Sequence, residues 1–162
     1  MKELQKMKPI SFQTLLKPLF VLPFLIMAVS CGSDDPEKQA AKDREKILKY
    51  IEEHDLDAQE LESGVFYLIE KAGSGSFPVE TSTVEINYTG FLLDGEEFGG
   101  GQGQKFNLSA TILGFKYGIP MFNRGSKGKL LIPSGLGYGV YGNYTIPPNA
   151  VLIYDIEMID FY

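Results

Sequence analysis

The chain has 162 residues, a net charge of −6 at pH 7 and a composition in which 44% of the residues are hydrophobic. This length allows one domain with its own hydrophobic core. The single cysteine excludes an intramolecular disulfide framework, and it has no histidine or second cysteine nearby with which to bind a metal. An acidic chain repels phosphate backbones, so nucleic acid is not expected among its partners.

The first 30 residues have the pattern of an export signal. An apolar stretch from residue 18 to residue 30 is too short to cross a bilayer as a helix. Four lysines precede it, namely Lys2, Lys6, Lys8 and Lys17. Residues 1–30 hold four of the 15 basic residues and one of the 21 acidic residues. The remainder therefore has 11 basic and 20 acidic residues and a net charge of −9.

The only cysteine, Cys31, directly follows the apolar stretch. The segment Ala28-Val29-Ser30-Cys31 resembles the bacterial lipobox, whose cysteine is acylated and becomes the first residue of the mature protein. This resemblance implies that residues 1–30 are a lipoprotein signal peptide and that Cys31 is the lipid attachment site. It also implies a protein of the bacterial cell envelope, anchored to the outer membrane on its periplasmic or its surface face. The alternative is a chance cysteine at the end of a signal peptide or anchor helix.

Residues 31–62 are predicted to form an acidic tether followed by an amphipathic helix. Over residues 35–54, Asp35 can cap the helix, Pro36 suits its first turn, and Glu37 complements the helix dipole. The apolar residues near one face are Ala40, Ile47, Leu48 and Ile51. This short stripe favours packing on the following domain over a long dimerising helix. His54, among acidic residues at the end of the segment, is expected to be solvated.

From residue 63 to residue 162 the pattern changes to strands and glycine-bearing turns. Strands are predicted from the alternation in the segments GVFYLIEKAG, TVEINYTG, KFNLS, KGKLLIPSG and AVLIYDIEMID. The Asp-Gly pair in LLDGEEF predicts a hairpin turn. Ser109 is predicted to cap a short helix through ATILGFKYG, which Gly118 and Pro120 would end. These elements define an α+β domain with an antiparallel sheet.

One segment matches a nucleotide-binding motif by its letters but lacks the structural context that the motif requires. The segment GYGVYG at residues 137–142 matches a dinucleotide fingerprint, but the following NYTIPP cannot form the required helix. No nucleophile triad, metal cluster or pair of carboxylates with a reason to meet is evident. We therefore expect no covalent intermediate, no metal and no cofactor.

The chain is rich in aromatic residues, with 9 tyrosines and 11 phenylalanines. Some of these rings must fill the core. Tyr138 and Tyr144, however, lie in loops rich in glycine and proline, where an aromatic residue more often lines a concave site. A site walled by aromatic and aliphatic groups suits a ligand with an apolar ring.

Three segments together resemble the FKBP-type peptidyl-prolyl cis/trans isomerases, the immunophilins that bind tacrolimus. The segments are VEINYTGFLLDGEEF, ILGFKYGIPMFNRGSKGKLLIPSGLGYG and IPPNAVLIYDIEM, and they occur in the family's order. The resemblance covers residues 63–162. It implies a curved antiparallel sheet wrapped around one short helix, with the N-terminal helix preceding it. The implied partners are proline-containing polypeptides and tacrolimus-like macrolides.

The resemblance also implies which residues form a proline pocket. Tyr138 would donate a hydrogen bond to the substrate carbonyl, and Tyr88 and Phe98 would act beside it. The rest of the pocket would be formed by Phe106, Thr111, Ile112, Phe115, Ile146 and Tyr154. Phe115 stands where the family usually has tryptophan, and Tyr154 where it usually has phenylalanine. The Pro147-Pro148 pair would hold Ile146 over the rim of the pocket.

Two departures from the family pattern leave alternatives open. Gly99 stands where the family usually has an aspartate, and Gln104 replaces an additional aromatic residue just before Phe106. The leading hypothesis is an isomerase, weakened by Gly99, that assists the folding of exported proteins. A second hypothesis is a non-catalytic peptide-binding or chaperone module on the same fold. A third is a lipid-anchored structural domain without a pocket function.

Overall fold

A computed structural model describes residues 35–162 of the chain. The predicted signal segment and Cys31 lie outside the described residues. The described part contains two α-helices, α1 (Pro36–Glu53) and α2 (Leu113–Gly118). Its strands are β1 (Gln59–Glu60), β2 (Phe66–Lys71), β3 (Thr83–Phe91), β4 (Glu97–Asn107), β5 (Lys127–Ile132) and β6 (Leu152–Phe161). No helix within residues 35–162 combines the length and the apolar character that a membrane span needs.

The six strands form one antiparallel sheet in the order β1-β2-β5-β6-β3-β4. The predicted α+β class is confirmed, as are the hairpin at the Asp-Gly turn and the strands of residues 63–162. Two details differ from the prediction. The segment KFNLS contributes only the end of the 11-residue strand β4, and the two-residue edge strand β1 was not predicted. Backbone pairing with β3 orders the glycine-rich start of β4, although glycine is a poor strand former.

Successive residues at the start of β6 are buried on opposite faces of the sheet. Leu152, Tyr154 and Ile156 belong to a core cluster that includes Phe115 of α2. Ile153, on the opposite face, belongs to a second cluster with Ile47 of α1. The short helix and the N-terminal helix therefore lie on opposite sides of the sheet.

Close approach of α2 to β5 depends on glycine. A Cβ atom added at Gly118 would lie 2.6 Å from a methyl carbon of Leu130, and one at Gly114 would collide with Ile132. The predicted end of this helix at Gly118 is confirmed. The predicted cap is wrong, since Ser109 lies in a 3₁₀ helix (Leu108–Ala110) that Asn107 caps. The extended backbone of Thr111 separates this 3₁₀ helix from α2.

The N-terminal helix is capped as predicted, with the Glu37 amide donating to Asp35 Oδ1 at 3.1 Å. It packs on the sheet through Ile47, which is fully buried, and this supports packing on the domain over a dimerising helix. The predicted apolar stripe is only partly correct, since Ala40 and Leu48 are exposed. The buried position one turn before Ile47 is occupied by a carboxylate, that of Asp43.

Candidate active site

A concave cavity of about 370 Å³ opens between the start of α2, the concave side of β3, β4 and β6, and the loop between β5 and β6. All nine residues predicted for the pocket line it: Tyr88, Phe98, Phe106, Thr111, Ile112, Phe115, Tyr138, Ile146 and Tyr154. These residues come from five separate parts of the chain. The fold brings them to one place, and a cavity of this size can hold a proline ring with its neighbouring peptide groups.

The floor of the cavity is a set of rings in edge-to-face contact. The centroid of Phe115 lies 4.7 Å from that of Tyr154, at an interplanar angle of 69°. Phe98 contacts the other side of Tyr154, with ring centroids 5.4 Å apart at 87°. Tyr88 and Phe106 form a third such pair, at 5.7 Å and 67°. Contacts of this geometry stabilise the rings in fixed orientations, so the floor is rigid as well as apolar.

Gly90 of β3 explains how two of these rings come so close to the sheet. It pairs with Gly99 of β4 on one side and with Tyr154 of β6 on the other. A Cβ atom at Gly90 would collide with the ring of Phe98 and lie 2.9 Å from Cε1 of Tyr154. The absence of a side chain at this position is therefore what lets the two rings meet over the strand.

The loop from residue 133 to residue 151 provides the far wall. It begins with a 3₁₀ helix (Ser134–Leu136), and a second 3₁₀ helix (Gly139–Tyr141) follows Tyr138. The Asn143 and Ile146 backbones exchange two hydrogen bonds, of 2.8 and 2.7 Å, which turn Ile146 into the cavity. Thr145 Oγ1 donates to the Phe98 carbonyl at 3.4 Å and links this loop to β4. The wall is thus an ordered loop held by its own backbone.

Gly99, the position singled out in the sequence, also lines the cavity. Sequence reasoning missed four further lining residues, namely Gly100, Ala110, Asn143 and Thr145. Asn143 and Thr145 flank Tyr144, which was predicted to line a concave site. That prediction is wrong, because the Tyr144 side chain is fully exposed and outside the cavity. The tight turn between Asn143 and Ile146 points it outward, and no periodic pattern in the sequence signals such a turn.

Gly99 leaves one side of the cavity without a side chain. An added Cβ atom would meet no atom within 4 Å, so this part of the rim is open. Five of the lining residues carry a hydroxyl, namely Tyr88, Thr111, Tyr138, Thr145 and Tyr154. Hydrogen bonding to a ligand at this site therefore rests on neutral hydroxyl, amide and backbone groups.

Tyr154 places a phenol among the floor rings, with only 3% of the residue exposed. Burial, and then the neighbouring phenols of Tyr138 and Tyr88, raise the pKa of Tyr154 well above its usual range. The hydroxyl is therefore neutral at any physiological pH and serves as a hydrogen-bond donor or acceptor without charge.

This raised pKa predicts a loss of stability in alkali. The folded state keeps the Tyr154 proton at pH values where the unfolded chain releases it, near pH 10. The stabilisation is fully present below about pH 10 and is lost as the pH rises further, by up to about 1.4 kcal/mol per pH unit. Denaturant titrations between pH 8 and pH 11.5 measure this slope, and Tyr154→Phe should reduce it. An unchanged slope in that variant would contradict a buried, neutral phenol.

A larger groove of about 620 Å³ lies elsewhere, beside β2 and the 3₁₀ helix Ile119–Met121. Its lining includes Tyr67, Phe77, Pro78 and Met121, and none of the nine predicted residues. The hydroxyl of Tyr67 already donates to Gln59 Oε1 at 2.8 Å. Size alone does not identify a site, and the smaller cavity is the candidate because rigid rings and several hydroxyls converge there.

A six-stranded antiparallel sheet and one short helix together border an aromatic cavity, and this combination defines the class of the domain. The sequence profile of the family described as FKBP-type peptidyl-prolyl cis-trans isomerase matches residues 74–159. The chain therefore belongs to the FKBP-type peptidyl-prolyl cis-trans isomerase family.

Individual relatives agree with this assignment. The chain is 36% identical over 130 residues to FkpA of Escherichia coli strain K12, a match that covers 76% of this chain and 48% of that protein. A probable FKBP-type isomerase of Haemophilus influenzae is 34% identical over 141 residues, covering 84% of this chain and 58% of the relative. The chain thus spans about half the length of these relatives.

Solved structures show the same fold. A peptidyl-prolyl cis-trans isomerase of Pseudomonas syringae superimposes with a TM-score of 0.69 at 30% identity, over 80% of this chain and 98% of that one. The crystal structure of FkpA from Escherichia coli gives a TM-score of 0.66 at 36% identity, over 77% of this chain and 62% of the other. The predicted fold class is confirmed by these matches.

Proposed function

We propose that this protein is a peptidyl-prolyl cis/trans isomerase that binds X-Pro segments in the ring-lined cavity. The observation that carries the proposal is the meeting of all nine predicted residues around one cavity of about 370 Å³. Membership of the FKBP-type family supports it. Proline-containing polypeptides are the proposed substrates, and tacrolimus-like macrolides are proposed ligands of the same cavity.

The reaction needs no proton transfer and no covalent step. A peptide bond rotates over a barrier of about 18–20 kcal/mol because the planar amide is stabilised by resonance. That resonance and its charge separation are lost at the twisted transition state. The rings of Phe115 and Phe98 form an apolar floor. Such a floor therefore favours the twisted amide over the more polar planar amide.

In this mechanism Tyr138 holds the substrate during the rotation. Its hydroxyl would donate to the carbonyl of the substrate, while the rings of Tyr88 and Phe98 contact the proline side. Thr111, Ile112 and Phe106 would enclose the ring, with Ile146 across the rim. Each tenfold increase in rate requires about 1.4 kcal/mol of preference for the twisted form.

The second candidate function is a peptide-binding or chaperone module without turnover. Gly99 favours it, because this side of the cavity offers no side-chain hydrogen bond that could fix the substrate. The two candidates differ in what they do to a refolding protein whose slow phase is proline isomerisation, which otherwise takes tens of seconds. The isomerase should accelerate that phase, and tacrolimus should suppress the effect. A chaperone should reduce aggregation and leave the slow rate unchanged.

We also propose that the protein is anchored in the bacterial envelope through an acyl group on Cys31, most simply at the outer membrane. There it would assist the folding of exported proteins. We expect metabolic labelling with a fatty acid to mark the wild-type protein, and we expect globomycin to block the removal of its signal peptide. Cys31→Ala should abolish the label while leaving the domain folded. Labelling that persists in Cys31→Ala would contradict the anchor.

A further inference from the structure

The carboxylate of Asp43 is buried at the contact between α1 and the start of the 133–151 loop. Its side chain is 1% exposed. Oδ2 accepts hydrogen bonds from the backbone amide and the hydroxyl of Ser134, at 2.9 and 2.5 Å. Oδ1 accepts from Gln39 Nε2 at 2.7 Å and lies 3.4 Å from Lys46 Nζ. Gln39 and Lys46 of α1 thus contact one oxygen of the carboxylate, and the other oxygen binds Ser134.

Asp43 supplies a cap that the loop itself does not contain. The 3₁₀ helix Ser134–Leu136 is preceded by Pro133, which makes no side-chain cap hydrogen bond. The Asp43 carboxylate satisfies the first free amide of this helix from a different part of the chain. Ser134 is 1% exposed, so water cannot easily take over this role.

The capped 3₁₀ helix leads directly to Tyr138. Leu136 and Gly137 donate backbone hydrogen bonds to Pro133 and Ser134, at 2.9 and 3.0 Å. Leu136 and Tyr138 both pack against the main core. A short run of fixed backbone therefore joins the buried carboxylate of α1 to the tyrosine of the cavity wall.

The other end of the loop belongs to the buried cluster that packs against the same helix. Val151 is 2% exposed and belongs to the cluster that contains Ile47 of α1, Leu131 and Ile153. Between Ser134 and Val151 lie the cavity residues Tyr138, Asn143, Thr145 and Ile146. The helix α1, which lies outside the family match at residues 74–159, thus contacts the start of the segment that forms one wall of the site and shares a buried cluster with its end.

We propose that α1 positions the substrate-binding loop of this protein and that Asp43 is a positioning residue for Tyr138. The inference rests on the proposed isomerase function for its catalytic consequence. Without the carboxylate, the amide and hydroxyl of Ser134 lose their partner and the 3₁₀ helix loses its cap. The loop then has more conformations to give up when a peptide binds, and the Michaelis constant rises.

The test compares Asp43→Ala and Ser134→Ala with a matched control, Glu60→Ala, in the full-length chain. Alanine is chosen at position 43 because asparagine would keep an oxygen that can accept from Ser134. The Glu60 carboxylate accepts exposed hydrogen bonds from Arg44, the shortest at 2.8 Å from Nε and 2.7 Å from Nη2, so the control removes another side-chain contact of α1. At a temperature well below unfolding, Asp43→Ala should raise KM about fivefold with little change in kcat. Ser134→Ala should raise KM less, and Glu60→Ala should leave KM within twofold.

Hydrogen exchange provides a readout that does not depend on catalysis. The amides of Leu136 and Gly137 should exchange at least fivefold faster in Asp43→Ala, whereas those of β6 should not change. The combined Asp43→Ala, Ser134→Ala protein should behave like Asp43→Ala alone, since Asp43→Ala already removes the acceptor of the Ser134 hydroxyl.

The outcomes separate this inference from the proposed function. If the wild-type chain does not catalyse isomerisation, the proposed function fails. Two measurements then still test the inference: hydrogen exchange of the loop amides and the affinity for a proline peptide. If Asp43→Ala only lowers the melting temperature and leaves KM and loop exchange at the control values, Asp43 is structural and the inference is overturned. If Asp43→Ala does not fold, Ser134→Ala decides by the same two measurements.

Discussion

Gly90→Ala should reduce kcat/KM for prolyl isomerisation about a hundredfold. The backbone at Gly90 is ordinary strand, so alanine causes no conformational strain of its own. Its Cβ atom, however, would collide with the Phe98 ring and come within 2.9 Å of Tyr154. Either the rings move into the cavity or β3 moves away from them. A displacement of about 1 Å in a positioned site can cost a hundredfold in rate, and overpacking costs roughly 1–3 kcal/mol of stability.

The matched control for Gly90→Ala is Thr89→Ala. Thr89 precedes Gly90 on β3, and its side chain points to the opposite face of the sheet. Peptide isomerisation assays and denaturant titrations on both variants separate activity from stability. Activity in Gly90→Ala equal to that of Thr89→Ala would contradict the dependence of the cavity on the two displaced rings.

Tyr138→Phe should lower kcat/KM about tenfold and leave the fold intact. The variant removes one hydroxyl from the cavity and keeps the ring that packs against the core. A hydrogen bond to the substrate carbonyl contributes about 1–1.5 kcal/mol, which corresponds to roughly a tenfold change in rate.

Tyr141→Phe is the control for this prediction. Tyr141 lies in the same loop, three residues further along, and is 91% exposed outside the cavity. Its hydroxyl can be removed without touching the proposed donor. Equal rates for the two variants would remove the donor role from Tyr138 and shift the explanation of catalysis entirely to the apolar floor.

Most of the fold could be predicted from local patterns. Alternation along β6 correctly separates Leu152, Tyr154 and Ile156 from the intervening residues, because one face of the strand meets the main core. Asp35 and Pro36 correctly mark the start of α1, since capping is a local interaction. Such features depend on residues that are close to one another in the chain, so the local sequence is enough to predict them.

Features that depend on distant contacts could not be predicted in this way. Asp43 reads as a solvated residue of a charged helix, yet it is buried because Ser134, 91 positions away, supplies two donors. Asn143 and Thr145 enter the cavity, and Tyr144 leaves it, because of a turn closed by backbone bonds. The nine cavity residues were predicted through the family resemblance, since no local pattern relates positions so far apart.

In the proposed mechanism, a rigid, ring-lined cavity makes an X-Pro bond easier to twist than water does. Magnetisation-exchange NMR on a short proline peptide, with and without the full-length chain, measures the cis/trans interconversion rate at equilibrium. We expect faster exchange in the presence of the wild-type protein and an acceleration about a hundredfold smaller with Gly90→Ala. A peptide that binds in the cavity while its exchange rate stays at the spontaneous value would contradict this mechanism.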